Sequence, residues 1–203
     1  MKYLIIGHPR CGTGFMSKLF KKNGLDVGHE VMGNNGTSDW QYAILNEKCF
    51  PWTTAPRSAF KFETIIHNIR DHFTAIPSIV YTETPNLGEQ SWRTVSEQFR
   101  RKYVRFPDTN VFENAAHSYL GWNKIIEDQK IANQTVRIEH VMDDLEVDDI
   151  KESLGNKKVN SRPHGDMTKE NWNKIPSNII DMLEAFCKKH NYESLKERIS
   201  KLD

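Results

Sequence analysis

The chain has 203 residues, 37% hydrophobic and 27% charged, which suits one globular domain with a substantial core. Lysine and arginine total 28 against 27 acidic residues, and so even a balance argues against a nucleic-acid binder, which carries a clear basic excess. Cys11, Cys49 and Cys187 have no disulfide or zinc spacing, no apolar run approaches a membrane span, and Met1 leads straight toward a strand, so a cytoplasmic protein is expected.

Tyr3-Leu4-Ile5-Ile6 is a short apolar run closed by Gly7, the pattern of a strand buried in a parallel sheet. From Thr13 the period changes. Phe15, Met16, Leu19 and Phe20 recur at helical spacing, Lys18, Lys21 and Lys22 face away, Thr13 suits an N-cap, and Asn23-Gly24 suits a stop. Residues 25–28 read as a short second strand. Residues 32–58 are irregular, rich in Gly, Asn, Thr and Pro, with a short helix expected near Trp40–Leu45.

Residues 60–69 read as a strand, most apolar at Thr64-Ile65-Ile66, followed by a helix over 70–83 that Pro77 should kink or break early. Residues 89–103 are expected to be helical. Another helix should begin at Pro107-Asp108, with Val111, Ala115, Tyr119, Trp122 and Ile126 on one face. Residues 134–141 suggest a strand, 147–154 a short helix ending at Gly155, and 177–190 a last helix. Strands alternating with helices predict a single domain over 1–203, a three-layer α/β fold with a mainly parallel central sheet flanked by helices.

The turn "GHPRCGTG" joins the first strand to the first helix. A helix N-terminus offers unpaired N–H groups and a dipole that favours an anion. Arg10 adds a cation and Thr13 a hydroxyl. The turn is P-loop-like, with Gly7 and Gly12 at the separation a triphosphate loop uses, but Thr13 stands where that loop needs Lys. Moving the charge back to Arg10 favours a single oxyanion without a metal. A cysteine-phosphatase reading of Cys11 fails because no Arg follows at the required spacing.

Pro9-Arg10-Cys11-Gly12-Thr13 resembles the 5′-phosphosulfate loop of the sulfotransferases that use 3′-phosphoadenosine-5′-phosphosulfate (PAPS), with Cys11 for a usual Ser and Gly14 for a usual second Thr. Arg70, Asp71 and Ser78 resemble that family's second marker, a strand ending in Arg with a Ser eight residues later, both on the 3′-phosphate; His72 replaces the Pro common after Arg-Asp. His29, Glu30, Gly36, Ser38 and Trp40 resemble a Gly-His-Glu segment found in a bacterial-type subset. Arg162, Gly165 and Asp166 roughly match a C-terminal loop that closes over the cofactor. The resemblance spans most of the chain and is strongest in its first 80 residues.

The resemblance implies sulfuryl transfer from PAPS to a hydroxyl of a small molecule, glycan or lipid, leaving 3′-phosphoadenosine-5′-phosphate (PAP). It implies donor contacts from Pro9, Arg10, Cys11, Gly12, Thr13, Gly14, Phe15, Arg70, Ser78 and Arg162, with His164 a further candidate. Arg10 would act as an electrostatic clamp and Glu30 as base, with His29 as substrate contact or alternate base. His67 either points toward the cleft or sits in the core. Trp40 and Trp52 either stack on a ligand or pack internally. A nucleotide kinase or other phosphotransferase, and a catalytically silent nucleotide-binding domain, are the competing functions. Acceptor and oligomeric state stay open.

Overall fold

The computed structural model describes residues 1–48, 55–83, 92–155 and 165–203. The chain forms two compact units, Met1–Arg70 with Asn123–Ser161, and Asp71–Trp122 with Arg162–Asp203.

The first unit carries a five-stranded, all-parallel sheet: β1 (Tyr3–Ile6), β2 (Val27–His29), β3 (Gly36–Ser38), β4 (Thr64–Ile69) and β5 (Gln134–Arg137), in the order β2-β3-β1-β4-β5. All four residues of β1 are buried, as a strand covered on both faces requires. Its register sets Ile5 beside Ile66 of β4 and Ser38 of β3. Tyr3, Ile5, Val27, Ile66 and Val136 face the helix α1 (Thr13–Lys22), packing on Met16, Leu19 and Phe20. On the opposite face His67 of β4 bonds to Asn123, which belongs to α4 (Val111–Gln129), with its Nε2 2.9 Å from the Asn123 Oδ1. Helix, sheet and helix make the three layers expected of the α/β fold.

The second unit holds α2 (His72–Glu83), α3 (Trp92–Arg101), the first part of α4, and α6 (Lys169–Trp172), α7 (Ser177–Lys189) and α8 (Leu195–Ser200); the short α5 (Val141–Asp144) belongs to the first unit. In the second unit His72 sits edge-on to Tyr119 and Phe186, Phe73 stacks on Trp172, and Arg198 pairs with Asp71 at 2.5 Å. Among the described residues no helix is long and apolar enough to cross a membrane.

Several boundaries differ from the sequence expectation, each for a local reason. The second strand begins at Val27 rather than Leu25, because the Leu25 N–H still closes α1 by donating to the Phe20 carbonyl at 3.0 Å. The segment 32–58 contains β3, and the helix near Trp40 is a 3-10 turn, Trp40–Ala43. The strand expected over 60–69 is confined to its more apolar end, Thr64–Ile69. Pro77 lies inside α2 without ending it; Ala75, Ile76, Ile79 and Val80 are all buried, and their packing outweighs the lost backbone bond.

Helix α4 begins at Val111 rather than Pro107, since Asn110 caps it by accepting the N–H groups of Phe112 and Glu113 at 3.0 and 2.9 Å. Val111 is exposed, whereas Ala115, Tyr119, Trp122 and Ile126 are buried as the periodicity requires. Of residues 89–103, α3 covers Trp92–Arg101, and 89–91 lie outside the described residues. The strand at 134 ends at Arg137, where the Asp144 carboxylate accepts both the Arg137 N–H and its guanidinium. The final expected helix ends at Lys189, and α8 comes after it, capped by Ser194.

No helix forms over 147–154. There the Asn23 side chain takes the backbone: its Oδ1 accepts the N–H groups of Lys151 and Glu152, each at 2.9 Å, and its Nδ2 donates to the carbonyls of Glu152 and Leu19. Val147, Ile150 and Leu154 still pack against the core, held by that clasp rather than by helical bonds. Replacing Asn23 by Ala is expected to lower stability by about 1–3 kcal/mol, read as a lower urea midpoint; an unchanged midpoint would mean water replaces the clasp at no cost.

Candidate functional site

The site is built at the C-terminal edge of β1. Because β1 lies between β3 and β4, its exit is the point where strand order reverses, the position at which parallel α/β sheets open a crevice. A Cβ on Gly7 would lie 2.2 Å from the Asn68 carbonyl oxygen, so the chain can leave β1 flush against β4 only as glycine. His8 then turns the loop. Its Nδ1 accepts the Arg10 N–H at 3.2 Å and its carbonyl accepts the Cys11 N–H at 2.8 Å. The Asn68 amide donates to the Cys11 carbonyl from below.

Gly12, not Thr13, is the N-cap of α1. Its left-handed φ of 87° is open to glycine, and a Cβ there would meet Ile138 at 2.9 Å. Thr13 is thereby the first helical residue. The amides of Thr13, Gly14 and Phe15 precede the first intrahelical bond, Met16 N–H to Gly12 carbonyl at 3.0 Å, and head the helix dipole. Cys11 is wholly buried with its N–H given to His8, so it shapes the loop rather than presenting its thiol. Pro9 and Arg10 are half-buried at the bend.

Arg70 comes directly after the last residue of β4 and donates from Nη1 to the Arg10 carbonyl at 3.2 Å. One arginine side chain therefore reaches the loop backbone at another arginine 60 positions earlier in sequence. Arginine stays charged at any ordinary pH and matches the geometry of phosphate or sulfate oxygens.

On the other flank lie the residues of the Gly-His-Glu segment. His29 ends β2, and its Nε2 stands 3.3 Å from Thr13 Oγ1. Burial pushes its pKa down, opposed by the charge of Glu30 and reinforced by Lys21 and Lys18. Glu30 turns the chain with a left-handed φ of 56°. Its N–H donates to the Ser38 carbonyl at 3.2 Å and its Oε1 accepts the Trp40 indole N–H at 3.0 Å. Ser38 also donates its hydroxyl to the Thr13 carbonyl at 2.8 Å, so one residue of β3 ties Glu30 to the start of α1.

The other candidates are spread through the fold. His67 is buried on Asn123, in the core. Trp40 is 1% exposed and packs internally, so it offers no stacking face. Ser78 lies buried on α2 in the second unit, where its carbonyl accepts the Thr82 hydroxyl. Trp52, Arg162 and His164 lie outside the described residues.

Sequence reasoning missed Asn68, which holds the loop, and Asp39, which is wholly buried beside Trp40. Asp39 accepts the Gln41 N–H at 2.9 Å as cap of the 3-10 turn, and an Asp directly before an aromatic turn was the one available signal. Burial pushes the Asp39 carboxyl up to about 7; the Gln41 N–H opposes the shift and the nearby Glu30 charge adds to it.

Comparison with family models, curated proteins and solved structures finds no match to this chain.

A buried carboxyl whose pKa is raised on folding binds more protons in the folded than in the unfolded chain, so stability falls as pH rises from near 4 to about 7. Asp39→Asn keeps the acceptor for Gln41 and removes the ionisation. It should be more stable than wild type by a margin that grows between pH 5 and pH 8, on the order of 1–4 kcal/mol. Denaturation curves at those two pH values test this, and parallel curves would show that Asp39 does not titrate in this range.

Proposed function

We propose that this chain is a PAPS-dependent sulfotransferase acting on an acceptor hydroxyl. The single observation that carries the proposal is the reach of the Arg70 guanidinium to the Arg10 carbonyl beside the N-terminus of α1, with Glu30 held on the opposite flank of the same loop. A phosphosulfate with a second phosphate on its ribose needs two separated cationic contacts, for which Arg10 in the loop and Arg70 at the end of β4 are the candidates. Arg10 with the amides of Thr13, Gly14 and Phe15 would hold the 5′-phosphosulfate, and Arg70 the 3′-phosphate.

In the reaction the acceptor oxygen forms a bond to sulfur as the bond from sulfur to the donor's phosphate oxygen breaks. That leaving oxygen gains negative charge, which Arg10 and the helix amides stabilise in place of a metal. The acceptor's proton passes to Glu30. His29 stands against Thr13, on the loop side, which supports Glu30 rather than His29 as base. Burial also disfavours the imidazolium that a proton-accepting His29 would become. The reaction parallels phosphoryl transfer in needing position and charge stabilisation above all.

Thermal shift separates this reading from a kinase. PAP should raise the melting temperature with or without EDTA, and ATP with magnesium should not; the reverse pattern would sink the proposal. Loss of PAPS turnover in Glu30→Gln with PAP binding intact supports catalysis, whereas unchanged turnover would point to a different base.

Arg70→Ala should weaken PAP by roughly 10- to 100-fold, the worth of one or two charge-assisted hydrogen bonds, and adenosine 5′-phosphosulfate far less. Equal losses for the two nucleotides, measured by calorimetry, would remove Arg70 from the 3′-phosphate.

A further inference from the structure

We infer that Trp40 is the positioning residue of the acceptor-side base, an inference that rests on the sulfotransferase reading for the reaction it serves. Glu30 opens the loop after β2 in left-handed backbone, and a glutamate there has three side-chain torsions to fix. Its two ends are held by one short segment. The Ser38 carbonyl takes its N–H at 3.2 Å, and the Trp40 indole donates to Oε1 at 3.0 Å. An indole has one donor and no acceptor, so the bond fixes one carboxylate oxygen and leaves Oε2 for a proton.

The holder is itself rigid. Trp40 is 1% exposed, all four residues of its 3-10 turn are buried, and Asp39 caps that turn. Tryptophan needs only two torsions to aim its N–H, so the vector toward Glu30 is set by packing. The same segment fixes the loop, through the Ser38 hydroxyl on the Thr13 carbonyl. The base is therefore registered to the helix N-terminus through three consecutive residues, Ser38-Asp39-Trp40. Being enclosed, Trp40 touches no substrate; it acts through Glu30.

Wild type, Trp40→Phe, Glu30→Gln and the double variant test this with two readouts. In 1H–15N spectra the chain's 5 tryptophans give separate indole signals. The signal lost in Trp40→Phe should be the one that moves upfield in Glu30→Gln, because a neutral amide oxygen accepts less strongly than a carboxylate. Conversion of PAPS to PAP, with water and with glucose as acceptors, should fall in kcat by about tenfold in Trp40→Phe, with the KM for PAPS within about twofold. The double variant should be no slower than Glu30→Gln.

Indole signals that do not correspond, an unchanged kcat in Trp40→Phe, or additive losses in the double variant would overturn the inference. Should Trp40→Phe fail to fold, Glu30→Gln alone decides it: a set of indole signals that does not move overturns the pairing. Failure of the sulfotransferase reading shows separately, as wild type that neither binds PAP in calorimetry nor turns over PAPS; corresponding indole signals would then still establish that Trp40 holds Glu30.

Discussion

The close approach of Gly7 to the Asn68 carbonyl governs the path of the chain beyond β1. With 2.2 Å available where a Cβ would stand, the chain leaves the sheet in contact with β4 and is then drawn down by the Asn68 amide on the Cys11 carbonyl. Gly12 completes the turn in left-handed backbone against Ile138. The head of α1 is thereby set over the end of β4, where Arg70 emerges and reaches the Arg10 carbonyl. A glycine, an amide and a second glycine thus set the loop backbone that the Arg70 guanidinium reaches.

Strand order supplies the other flank. With β3 on the far side of β1, its last residue, Ser38, stands beside the same helix start and takes the Thr13 carbonyl. The chain from Ser38 runs directly into the capped turn that carries Trp40. An arrangement with the Arg70 guanidinium on one side of the loop and the held Glu30 carboxylate on the other results from the order β2-β3-β1-β4-β5. It does not need a long-range contact between the side chains themselves.

The same constraints decide which parts were legible in the sequence. β1, α1 and β4 announce themselves through apolar runs and a change of period, and the turn between β1 and α1 through Gly7, Arg10 and Gly12. β3 is silent, because Gly36-Thr37-Ser38 is fully buried without one apolar side chain; its burial comes from its neighbours. Val147, Ile150 and Leu154 carry a helical spacing, yet Asn23 captures the backbone amides a helix would need. Thr13 suits a cap by residue type, but only Gly12 can take the required φ. Asp39 and Asn68 are polar residues whose roles arise from burial, and burial of a polar side chain leaves no periodic trace.

Burial also works on the two flanking titratable groups in opposite directions with one result. It holds the proton off His29 and on Asp39, moving both toward neutrality. The His29 Nε2 against Thr13 Oγ1 has a further effect, since Thr13 is the one hydroxyl residue between His8 and Gly14. If Nε2 carries the imidazole hydrogen and donates it to Oγ1, the threonine's own hydrogen is free to point outward from the helix start. If Nε2 is the acceptor, that hydrogen is used internally. Because Gly14 carries no hydroxyl, the tautomer of His29 decides whether the start of α1 presents a hydroxyl donor beside its backbone amides.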